Sequence, residues 1–91
     1  TEVRNATIAL TTADQSLAQA RESVKLNLEM ERYEQTLFKG GASDLIRVNI
    51  REQQTFDARV TEVEALLRYF EAQAELRAAL GLDADGASNI T

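Results

Sequence analysis

Carboxylates are the most concentrated reactive groups in this chain. Glu29, Glu31 and Glu34 lie close together, and so do Glu62 and Glu64. Two chemistries use such spacing. A hard cation needs several oxygens converging on one point, and acid–base catalysis needs a pocket that sets two carboxyls in different environments. No pocket-forming sequence accompanies these residues, and their alternation with other polar types reads as a solvated helix face. The chain has no His and no Cys. That removes zinc fingers, thiol or His-activated nucleophiles and Glu-x-x-His di-iron sites. The expectation is therefore a protein that is not an enzyme, with no catalytic residue, metal ligand or cofactor. Among the cations, Lys39, Arg47 and Arg51 gather around a glycine pair. Arg47 and Arg51 are one helical turn apart, and could pair with acidic groups of a partner or with Asp44 and Glu52 beside them.

Ten basic against fifteen acidic side chains give a net charge of −5, which argues against a phosphate-neutralising nucleic-acid surface. No apolar run approaches the roughly 20 residues of a membrane span. The 91 residues do not begin with Met and show no signal-peptide pattern, so an excerpt or processed segment of a longer protein is expected.

The elements that must position these groups follow from punctuation. Proline is absent, and the four glycines are Gly40, Gly41, Gly81 and Gly86. Two long stretches thus contain nothing that interrupts a helix. In the first, Val3, Leu10, Leu17 and Val24 repeat every seven residues, with Ala6, Ala13 and Ala20 three residues after the first three. This is an a/d seam with small residues at d, which Leu28 and Phe38 continue. A second stripe, Leu26, Met30, Tyr33 and Leu37, lies on the opposite side.

Lys39-Gly40-Gly41-Ala42-Ser43 is the turn. Either glycine suits the left-handed position that ends a helix. Ser43 is the candidate N-cap of the next helix, with Asp44 as the alternative. The second stretch carries one heptad of large residues: Ile46, Gln53, Val60, Leu67 and Ala74, with Asn49, Phe56, Val63, Phe70 and Arg77. Asn49, Gln53 and Arg77 are polar interruptions suited to fixing register. Away from it runs a column of alanines, Ala58, Ala65, Ala72 and Ala79, flanked by Leu66, Tyr69, Leu76 and Leu80. Gly81 is the expected helix end. The resulting organisation is helix one over 1–38, turn over 39–43, helix two over 44–80, and a polar loop or disordered tail over 81–91.

The fold class expected is all-α: an antiparallel two-helix coiled-coil hairpin. A hairpin needs one apolar seam per helix, and each helix here has two. Leaving the second face in water forgoes about 25 cal/mol for each Å² of apolar surface and invites aggregation. Each helix should therefore have neighbours on both sides, in a four-helix bundle or as one segment of a helical barrel. A lone extended hairpin buries too little surface to be the expected state.

Specific residues add a resemblance. Val3-Arg4-Asn5-Ala6, then Leu10, Ala13, Leu17 and Ala20-Arg21-Glu22-Ser23, resemble the long helix of TolC-like outer-membrane efflux proteins. Glu31-Arg32-Tyr33, Phe38-Lys39-Gly40 and Ser43-Asp44-Leu45 look like that family's hairpin tip. Ala74-Glu75-Leu76-Arg77-Ala78-Ala79-Leu80-Gly81 is similar to the close of its returning helix, and the likeness covers about residues 3–81. Ser43 to Asn49 with Arg51-Glu52 looks more like the metal-efflux branch than the drug-efflux branch.

The resemblance implies a role without a reaction. Members are trimers whose helices form a hollow α-barrel across the periplasm, continued by a β-barrel in the Gram-negative outer membrane. Their hairpin tips meet a periplasmic adaptor, which links the channel to an inner-membrane pump. This chain would be the second helical hairpin of a protomer. Its partner-binding tip would be Lys39, Gly40, Gly41, Ala42, Ser43, Asp44, Leu45, Ile46 and Arg47. Read from the residues alone, the same stretch is a tight αα-turn, and the chain is a free-standing coiled-coil scaffold that self-associates, with a dimer of the isolated hairpin one way to hide its second face.

Overall fold

A computed structural model describes the backbone of residues 1–88 and the side chains of residues 1–81. Two helices and no strands are present among the described residues: α1, Glu2–Lys39, and α2, Leu45–Ser88. They fold back on each other as an antiparallel hairpin measuring 72 × 19 × 14 Å. The expected fold class is what is observed.

Each helix end has a local cause. Thr1 caps α1, its hydroxyl accepting from the Arg4 N–H. At the other end Gly41 has φ +80°. The Ala42 N–H donates to the Leu37 carbonyl at 2.8 Å, and the Gly41 N–H to the Phe38 carbonyl at 3.0 Å. This pair of bonds, closed by a left-handed glycine, is the Schellman arrangement. Gly40 has φ −85°, so only the second glycine is conformationally required. Gly41→Ala is expected to cost about 1 kcal/mol, although the new Cβ meets nothing within 4 Å. Gly40→Ala should be near neutral. Thermal unfolding followed by circular dichroism separates the two by about 4–8 °C.

The start of α2 differs from the expectation. Asp44, not Ser43, is the cap: its Oδ1 accepts from the Arg47 N–H at 2.8 Å. A carboxylate gains more than a hydroxyl at the positive end of a helix, and Ser43 is used elsewhere. The end of α2 differs too. The helix runs through Gly81 to Ser88, so Gly81 is not a terminator and 81–88 is not a loop. A single glycine costs a helix only about 1 kcal/mol relative to Ala, and Leu82, Ala84 and Ala87 beyond it are compatible with helix. Residues 89–91 lie outside the described residues.

Of the two seams on α2, the alanine column is the inner one. Ala58, Ala65, Ala72 and Ala79 are all buried, as are Ala6, Leu17, Ala20 and Val24 of α1. Leu17, Ala20 and Ala65 form the centre, with Leu66 and Tyr69 packed against them. Ala6 and Ala79 line one groove between the helices, and Ala13 and Ala72 line the next. Each step of seven along α1 is therefore matched by a step of seven back along α2. Small side chains on both helices bring the backbones close, and Leu17 fills the space that Ala65 leaves.

The heptad of large residues faces outward. Phe56, Val63, Leu67 and Phe70 are each more than half exposed, and Val60 is 43% exposed. Its polar members Asn49, Gln53 and Arg77 are exposed as well, so they do not fix the register of this hairpin. On α1 the second stripe is also outward: Leu26, Met30 and Tyr33 are exposed. Phe38 is exposed rather than continuing the seam, because the chain turns away just after it.

Candidate functional site

Extended towards the turn, the seam changes character. On α1 the line of Ala6, Ala13 and Ala20 continues through Asn27 to Glu34; on α2 the alanine column runs back from Ala58 to Arg51. The two ends meet. Arg51 Nε donates to Glu34 Oε1 at 3.5 Å, and the pair is 35% and 11% exposed at the side chains. Ser43 Oγ donates to the other oxygen, Glu34 Oε2. Arg51 Nη1 also donates to Gln54 Oε1 at 3.2 Å. One heptad step from Val48, the buried Thr55 hydroxyl sits between the Asn27 carbonyl of α1, at 3.3 Å, and the Arg51 carbonyl of its own helix, at 3.1 Å.

Glu34 is thus no part of a solvated acidic face. It is buried, and its two oxygens are tied to the turn and to the second helix. Sequence reading missed it by continuing the seam from Val24 through Leu28 and Phe38; positions 27 and 34 of the original register were the available signal. Arg51 pairs with Glu34 across the hairpin, not with Glu52. Arg47 does pair with Asp44, at 3.9 Å, but both side chains are mostly exposed, which makes the pair worth little.

This cluster gives a direct test. Glu34→Ala leaves Arg51 and Ser43 without their shared acceptor and should cost about 1–3 kcal/mol. Arg47→Ala should stay within about 0.5 kcal/mol. Urea unfolding midpoints of the two variants make the comparison, and equal midpoints would deny Glu34 its structural role.

The tip expected as a contact surface is laid out as follows. Lys39, Gly40, Gly41, Ala42, Asp44 and Arg47 are exposed, and Leu45 and Ile46 are 58% and 70% exposed. Ser43 is half-buried and turned inward onto Glu34. Two residues outside the expected set add apolar surface at this end, Phe38 before the turn and Ile50 one helical turn after Ile46. Ile50 was missed because it falls between the heptad positions of α2. The site can present apolar side chains and exposed backbone to a partner on a turn held rigid from beneath.

No group of three or more carboxylates is placed to hold a metal ion among the described residues, and no helix there is long and apolar enough to cross a membrane. The concavities between the helices are open grooves where small side chains face each other. No family model, curated protein or solved structure matches this chain.

Proposed function

We propose that this hairpin is a wall-and-tip segment of a trimeric TolC-like outer-membrane efflux channel, with its turn docking on a periplasmic adaptor of a tripartite pump. The observation that supports this reading most is the exposed stripe of Phe56, Val60, Val63, Leu67 and Phe70, opposite a complete inner seam. A hairpin already closed on itself has no use for a second apolar face unless it stands between neighbours, as each helix of a barrel wall does. The sequence resemblance over about residues 3–81 supplies the family. The metal-efflux branch, the periplasmic location and the inner-membrane pump partner belong to the same reading.

The test is crosslinking in cells. A cysteine replacing the exposed Ala42 in the full-length protein should crosslink to the adaptor, whereas one replacing Gln15, far along α1, should not. If Ala42→Cys never reaches the adaptor, the tip assignment is wrong. The same exposed stripe also supports a second reading, a free-standing scaffold that self-associates. It requires a stable dimer or tetramer of the 91-residue chain at micromolar concentration in sedimentation equilibrium.

A further inference from the structure

The outer face of α2 has two unlike edges. The apolar stripe is the double line of Ile46, Val60 and Leu67 with Phe56, Val63 and Phe70, and one edge of it carries Asp57, Glu64 and Glu71 at seven-residue spacing, in line with Ile50 and Ala78. All three acids are exposed. The only ion pairs among the described residues are Arg47–Asp44 and Arg51–Glu34, so none of the three has a cation, and Arg68 on the same helix reaches neither Glu64 nor Glu71. The Asp57 carboxylate accepts only from Gln53 Nε2, at 3.0 Å. The other edge carries Glu52, Arg59, Leu66 and Gln73 and is near neutral.

A second copy covers this face poorly. Two α2 helices related by a two-fold axis and running antiparallel place like edge against like edge, setting Asp57, Glu64 and Glu71 against their own counterparts. Run parallel, they offer the three acids a single cation, Arg59, and one further acid, Glu52. The α1 of a second copy fails on length: its outward stripe spans Leu26 to Leu37, about 17 Å, against about 36 Å from Ile46 to Phe70. Like charges opposed along an interface select against the wrong partner.

We infer that the outer face of α2 receives an amphipathic helix from outside these 91 residues, apolar along its contact line and carrying Lys or Arg along the edge that meets Asp57, Glu64 and Glu71. The apolar stripe supplies affinity, and the acidic edge fixes which partner and which orientation is accepted. This rests on the charge pattern and not on the efflux reading; a failed tip crosslink leaves it standing.

Two synthetic helical peptides of about four heptads test it, identical along their Leu/Ile contact line and differing only in Lys or Glu along one flank. Each is titrated with the whole chain by fluorescence anisotropy. The Lys peptide should bind about tenfold tighter at low salt, with the gap closing as salt rises. The triple variant Asp57→Lys, Glu64→Lys, Glu71→Lys should reverse the preference, its helicity checked by circular dichroism. Equal affinities, binding of neither peptide, or a tight homodimer of the chain that Leu67→Asp dissolves would each overturn the inference.

Discussion

Val63→Asp combined with Leu67→Asp is expected to leave the hairpin folded and to abolish association through its outer face. Both side chains are more than half exposed in the isolated chain, so their replacement removes little intramolecular packing. In an assembly the same positions sit mid-length on the stripe, flanked by Phe56, Val60 and Phe70. Burying a Val or Leu side chain contributes about 1.5–3 kcal/mol, and an aspartate forced into that position must also be desolvated. Two such changes should weaken association by more than about 100-fold. Circular dichroism should show unchanged helicity, while sedimentation or crosslinking of the assembled protein should show the interface lost. Intact association in the double variant would mean that the outer stripe is not where this hairpin meets its neighbours.

The opposite pattern is expected for the inner seam. Ala65 is 2% exposed and lies against Leu17 and Ala20. Ala65→Leu adds three carbons where the helices are held close by alanines on both sides, so it must force the backbones apart or push Leu17 from its rotamer. Such overpacking typically costs about 1–3 kcal/mol, a large share of the stability of a chain with one thin core. Ala74→Leu is the control, since Ala74 is exposed on the outer heptad and has room for the larger side chain. Loss of cooperative unfolding in the first variant and not in the second places the seam as described. Equal tolerance would mean that the two helices do not pack through their alanines.

The paired helices, the turn and the two-faced pattern were legible because each has a local cause: heptad spacing, absent proline, adjacent glycines. Which face of α2 turns inward was not, since both faces repeat every seven residues and periodicity does not rank them. Size would have ranked them. The α1 seam has Ala6, Ala13 and Ala20 at its d positions, and a small-residue line packs closest against another, which the column from Ala58 to Ala79 provides. The Glu34–Arg51 pair was hidden for a different reason. A charge at a seam position looks like the end of the seam, and only its opposite charge at the matching position of the other helix shows that the seam continues. The α2 terminus was misplaced because glycine is a stop signal only where a left-handed turn is needed, and among the described glycines that holds for Gly41 alone.

The same polar stretch bears on how the hairpin closes. Contacts nearest the turn cost the least chain entropy to make, so closure should begin at Gly40–Gly41 and proceed towards the termini. After Val48, however, the next layers are Glu34 with Arg51 and Asn27 with Thr55, which bury little hydrocarbon. The first substantial apolar gain comes with the buried Val24 and Ala58, and then with Leu17 and Ala20 against Ala65, well along both helices. The rate-limiting ensemble should therefore contain helix pairs already joined to mid-length. Chevron kinetics would show it: substitutions at Ala20 or Val24 slow folding, while a substitution at Ala6, near the open end, mainly speeds unfolding.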